Sequence, residues 1–135
     1  MRKYFIVKVK ENGKLEIPLE FAYEIGLVKG AYFLVEIDTN LKEMHIERVA
    51  LPGKKLVEIE VIVEDKPRIL AKVSETLGRL GINILFNEVE ELESLGLSAI
   101  VAIVDISQST ISLDDLKREL EKIKEVKEVK ALDMD

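Results

Sequence analysis

The chain has 135 residues, 34% of them charged, a net charge of −6 and no cysteine, which bounds it to one ordinary domain or two small ones and excludes disulfide and thiolate chemistry. No apolar run nears the ~18 residues that span a bilayer, and the start, MRKYFIVKVK, alternates charged and apolar residues where a signal peptide would be continuously apolar, so a cytoplasmic protein is expected. Residues 1–50 carry eight basic and eight acidic side chains and residues 51–135 twelve and eighteen; neither part is the strongly basic body of a dedicated nucleic-acid binder.

Along the chain, Lys3–Lys10 alternates Tyr4, Ile6 and Lys8 with Phe5, Val7 and Val9, the pattern of a strand with a buried face. Asn12-Gly13 marks a turn, and Leu15–Ile17 returns as a short strand stopped by Pro18. Leu19–Ile25 suits two turns of helix, with Gly26 as its stop. Ala31–Asp38 and Glu43–Arg48 predict a second hairpin around Asp38-Thr39-Asn40. Four short strands and a two-turn helix leave apolar faces uncovered at this size, so dimerisation is expected. The Pro-Gly pair in Ala50–Lys55 breaks any continuing strand and marks a linker, which sets domains at 1–50 and 54–135. No internal repeat is found.

In the second segment, Val57, Ile59, Val61 and Val63 face one way and Glu58 and Glu60 the other, a strand covered on one side. Pro67 suits the first position of a helix, whose apolar residues Ile69, Leu70, Val73, Leu77 and Leu80 recur at helical spacing before Gly81. Ile82–Val89 is the next strand. A turn near Glu93–Gly96 leads to Leu97–Val104, whose nearly continuous apolar run marks a central strand. Ser112–Asp115 reads as a capping box for a helix with Leu116, Leu120 and Ile123 on one face, and Val126–Leu132 closes the order βαββαβ. The fold class is α+β, with a ferredoxin-like unit of helices on one face of an antiparallel sheet.

Val61–Ile84 is similar to the opening of ACT domains, small ligand-sensing modules of amino-acid metabolic enzymes and transcription regulators. Asp65-Lys66-Pro67, Ile69-Leu70 and Gly81-Ile82-Asn83-Ile84 carry the resemblance, which covers all 82 residues in element order. It implies an amino-acid effector at the strand-to-helix loop, where a neighbouring subunit meets it. On that analogy Asp65 holds the ligand's amino group, with Lys66 in the same loop. The N–H groups of Arg68 and Ile69 receive the carboxylate, and Asn83 adds amide contacts. Arg68 stands where the family has a glycine that admits the ligand; it either fills that space or offers its guanidinium to a carboxylate. The plain alternative is that Asp65 caps the helix and Asn83 bonds its own backbone.

Val7–Arg48 resembles the swapped-hairpin domain of the AbrB and SpoVT transition-state regulators, through Gly13-Lys14-Leu15-Glu16-Ile17-Pro18 and Ile25-Gly26-Leu27. The resemblance implies that two chains interleave into one barrel, and that duplex DNA meets Lys8, Lys10 and Lys14. Glu20 and Glu24, beside positions that are often basic in that family, oppose phosphate. The leading expectation is therefore a ligand-responsive transcription regulator, a homodimer or higher homo-oligomer. The alternative is an oligomeric sensor module that binds no DNA and regulates a partner protein; an antitoxin-like protein fits less well, since those carry disordered tails.

His45, the single histidine, has no second ligand near it in sequence for a metal or triad. The run Glu119–Glu125 reads as a solvated helix face, and Glu88, Glu90, Glu91 and Glu93 as solubilising charge. No P-loop, dinucleotide fingerprint, nucleophile elbow or HExxH motif occurs. Neither an enzyme nor a cofactor is expected. Gln108 is the only glutamine and there are four asparagines; few thermolabile amides beside many charges point to a thermophile.

Overall fold

The computed structural model describes residues 1–93 and 96–134. Two compact units, Met1–Gly53 and Lys54–Asp135, divide the chain.

In the N-terminal unit, α1 (Leu19–Ile25) starts after Pro18, whose carbonyl accepts from the Phe21 and Ala22 N–H groups, and ends at Gly26 with φ +73°. Glycine is needed there twice over. The left-handed backbone disfavours a Cβ, and the Arg48 side chain lies where a Cβ would project. β1 (Tyr32–Asp38) and β2 (Glu43–Ala50) form an antiparallel hairpin. Asp38 tightens its turn by accepting from the Asn40 and Leu41 N–H groups.

The first hairpin departs from expectation. Residues 3–10 and 14–18 form no strand, and among the described residues no ladder pairs them within the chain. Only the tip closes, where Lys14 N–H donates to the Glu11 carbonyl. One side of the segment has company: the Phe5 ring stacks on Phe21 at 4.9 Å, and Lys3 pairs with Glu24 at 2.8 Å. The other side has none, with Tyr4 94% and Ile6 96% exposed. Alternation predicts a strand, but a ladder also needs a neighbour.

The C-terminal unit has β3 (Leu56–Glu64), α2 (Ile69–Arg79), β4 (Asn83–Glu91), β5 (Leu97–Asp105), α3 (Leu113–Glu121) and β6 (Val126–Asp133). All pairings are antiparallel, in the order β4-β5-β3-β6. Alternation along β3 buries Val57, Ile59, Val61 and Val63 against Val73 and Leu77 of α2 and Leu116 and Leu120 of α3. Each such side chain contributes roughly 1.5–3 kcal/mol on burial. Ser112 caps α3, its hydroxyl accepting from Asp115 N–H at 3.1 Å.

Two local expectations need correction. α2 begins at Ile69, not Pro67, because Arg68 takes φ +70° and interrupts the helical path. Glu125 is not part of a solvated face. α3 ends before it, and the residue is buried at 7% exposure in the turn into β6. The turn expected near Glu93–Gly96 includes Ser94 and Leu95, which lie outside the described residues.

Candidate functional site

The loop from β3 to α2 is held from two sides. Glu64 N–H donates to the Glu125 carbonyl at 2.8 Å, and Asp65 N–H to the Gly96 carbonyl at 2.7 Å. Glu64 accepts ion pairs from Lys66 and Lys127, each at 3.1 Å. Hydrogen bonding from Lys127, then Lys66, holds its carboxyl below the usual carboxylate range. Glu125 receives both oxygens' worth of contact from Lys72, at 3.0 and 2.8 Å, tying α2 to the same corner. Sequence reading missed this part-buried pair, because neither partner breaks the pattern of its neighbours.

Within the loop, Lys66 is committed to Glu64 and Ile69 is buried, its N–H donating to the Lys66 carbonyl at 3.3 Å. That leaves Asp65 and Arg68 exposed, three residues apart and opposite in charge, and neither forms an ion pair or side-chain hydrogen bond among the described residues. Asp65 does not cap α2, whose first turn has no side-chain cap. Arg68 keeps the left-handed backbone that glycine adopts freely and other residues adopt at a cost.

Beneath this corner, Ser98 lies opposite Val63 on the helix-covered side of β5, 1% exposed, with no hydrogen-bond partner for its hydroxyl among the described residues. Asn83 is elsewhere. It pairs with Asp105, which pairs with Leu56 at the other end of β3. Eight strand residues, about 27 Å at ~3.4 Å each, separate Asn83 from the loop of its own chain. Its side chain is exposed and makes no hydrogen bond among the described residues.

In the N-terminal unit, Lys8, Lys10 and Lys14 line one cleft of about 420 Å³ with Phe5, Ile6 and Pro18. Lys14 is paired with Glu11 at 2.7 Å; Lys8 and Lys10 form no ion pair among the described residues. His45 is exposed, 3.9 Å from Glu47. Among the described residues, no three acidic or histidine side chains gather as metal ligands, and no helix is long and apolar enough to cross a membrane.

The family model of the ACT domain matches residues 57–125. The chain is similar to the ACT domain from GTP pyrophosphokinase of Chlorobium tepidum, at 18% identity over 59% of this chain and all of that one, with a TM-score of 0.47. It is also similar to an uncharacterized protein from Thermotoga maritima, at 20% identity over 62% of this chain and all of that one, TM-score 0.45. A third likeness is to the P2 domain of the Thermotoga maritima chemotaxis kinase CheA, solved in complex with the response regulator CheY. There the identity is 17% over 61% of this chain and all of that one, TM-score 0.45. No curated protein matches the chain.

Proposed function

The chain belongs to the ACT domain family through residues 57–125, and on that footing we propose that it is a ligand-responsive transcription regulator whose effector is an amino acid. An ACT domain carries a small-ligand-sensing, regulatory role, and the reading is regulatory rather than enzymatic. The observation that carries it is the unpaired couple Asp65 and Arg68 beside the start of α2. A zwitterion presents an ammonium and a carboxylate a few ångströms apart. Asp65 complements the first and Arg68, with its own N–H and the positive end of the helix dipole, the second. The N–H of Ile69 is already used, so the guanidinium takes the place in the site that this N–H was expected to fill.

Asn83 joins such a site only from a second copy, since its own loop lies at the opposite end of the sheet. Antiparallel contact between two β4 edges brings Asn83 of one copy to the Asp65 end of the other. A homodimer is the least assembly that completes the site. Calorimetric titration of the twenty amino acids tests the reading: saturable heat with at least one, lost in Asp65→Asn, is expected. No heat with any of them removes the sensing claim.

The DNA-binding half rests on the AbrB and SpoVT resemblance of residues 7–48 and on the segment 3–10, which among the described residues has no strand partner and suits interleaving with a second chain. Lys8, Lys10 and Lys14 from two copies would give a salt slope of roughly −5, at ~0.9 per neutralised phosphate. Filter binding of duplex DNA without salt dependence counts against it. The ion pairs Lys14–Glu11 and Lys3–Glu24 favour a second reading, in which the N-terminal unit only dimerises and a partner protein receives the signal.

A further inference from the structure

The sheet of the C-terminal unit has a second face, opposite its helices. Because Val57 to Val63 turn their odd-numbered side chains to the core, the even-numbered residues of β3 and their register partners form this other face. Ile103 and Val101, both partly exposed, run down β5 as a short apolar stripe that ends at the buried Ala99, with the partly exposed Phe86 beside its upper end and Ile62 beside its lower. On β4 the stripe is flanked by Glu88 and Glu90, and on β3 by Glu58 and Glu60; Val101 sits directly between Glu88 and Glu60. Among the described residues none of these four carboxylates is ion-paired. Other acidic residues of the same sheet do have lysine partners, Glu64 with two of them.

We propose that this face docks a cationic amphipathic helix of a partner protein, laid along β5 with its apolar side on Ile103 and Val101, beside Phe86 and Ile62, and with lysines or arginines on both flanks. The width fits. The two glutamate walls are two strand spacings apart, about 10 Å, which is the diameter of a helix with its side chains, ~10–12 Å. Charge selects the occupant. A second copy packed sheet on sheet would set these carboxylates against their own kind across ~10 Å, about one Debye length at ~0.1 M salt. A cationic helix instead gives each wall a counter-charge at the rim of an apolar contact. The proposal is independent of any ligand at the Asp65–Arg68 loop.

The test uses the full ¹⁵N-labelled chain and a synthetic amphipathic helix of about five turns, leucine on one stripe and lysine on both flanks. A control peptide has the same composition with the stripe scrambled. Expected are saturable amide shifts centred on Phe86, Val101 and Ile103 with the first peptide only. Affinity should fall at least about tenfold when Glu58, Glu60, Glu88 and Glu90 are all changed to Gln, from exposed pairs of the usual strength. Val101→Thr, nearly the same shape, should also weaken binding. Equal binding by the scrambled peptide, unchanged affinity of the four-Gln variant, or shifts confined to the helix side would each overturn the proposal. So would the same residues shifting on dilution of the protein alone, which would assign the face to a second copy.

Discussion

Arg68→Gly should make the protein more stable, although it removes a charged side chain from the candidate site. A residue with a Cβ pays roughly 1–2 kcal/mol in the left-handed region, and Arg68 sits there at φ +70°. Its side chain has no ion pair or hydrogen bond among the described residues to lose. Glycine returns about 0.4–1 kcal/mol of that gain through the greater freedom of the unfolded chain. The net is a stabilisation of about 0.5–1 kcal/mol. With a guanidinium slope of about 3 kcal/mol/M for a domain of this size, the unfolding midpoint should rise by about 0.2–0.3 M.

The assay is far-UV circular dichroism of the full chain in guanidinium chloride. Tyrosine emission would miss the transition, since Tyr4, Tyr23 and Tyr32 all lie in the N-terminal unit and there is no tryptophan. The 222 nm signal comes chiefly from α2 and α3. Arg68→Ala keeps the Cβ and should stay within a few tenths of a kcal/mol of the parent. A midpoint that falls in Arg68→Gly refutes the reasoning, because the guanidinium would then be holding something in the free protein. If the midpoint rises and amino-acid binding weakens, Arg68 is retained for recognition at the expense of stability.

The Lys72–Glu125 pair should respond asymmetrically. Lys72→Met strands a carboxylate only 9% exposed and should cost about 2–3 kcal/mol, whereas Glu125→Gln leaves a half-exposed ammonium that water can serve and should cost about 1 kcal/mol; denaturant midpoints of both variants decide, and equal costs would sink the idea. Ser98→Ala removes a buried hydroxyl that has no partner among the described residues and should stabilise by about 1 kcal/mol, read by the same titration; a loss would mean the hydroxyl is satisfied. Glu64 has a lowered folded-state pKa, so its contribution is present above the unfolded value of about 4.3. It is lost as pH falls through the lower folded value. The stability gap between the parent and Glu64→Gln should therefore close below about pH 4, and a gap that persists at pH 2 contradicts the assignment.

The C-terminal fold was legible because its strands announce themselves twice, by alternation in Val57–Val63 and by the apolar run through Ile100 and Val104. Its helices announce themselves by spacing and by Ser112. What escaped was decided by backbone dihedrals and by topology. Proline is welcome in a first helical turn, so Pro67 looked like a start, and no local signal shows that an arginine after it turns left-handed. Glu125 hid in a charged run because helical counting was carried past the end of α3. The distance between Asn83 and Asp65 was, by contrast, implied by the element order. Two strands joined by one helix, β3 and β4, run in the same direction, so the end of one and the start of the next lie at opposite ends of the sheet. In the N-terminal unit, alternation in residues 3–10 predicts a strand but cannot say which backbone would pair with it, and among the described residues none does.

The charges along β4 bear on whether a second copy can supply Asn83. The strand is neutral from Asn83 to Asn87 and acidic from Glu88 to Glu91. Antiparallel contact with the same edge of another copy, centred on Asn87, sets Glu88 against Phe86 and the acidic end against the neutral beginning. Centring one pair further along would put Glu88 against itself, which like charges oppose. The Asn87-centred register also sets Asn83 opposite Glu91, at the end of the sheet where the loop of the second copy lies. A chain without cysteine makes the test clean. Two Asn87→Cys residues facing each other would be about 4.5–5.5 Å apart between Cα atoms, inside the range a disulfide spans. Mild oxidation should convert that variant to covalent dimers, and Glu121→Cys, on α3, should not. If the chain sediments as a dimer and Asn87→Cys fails to cross-link, the β4 edge is not the contact, and Asn83 drops out of the site.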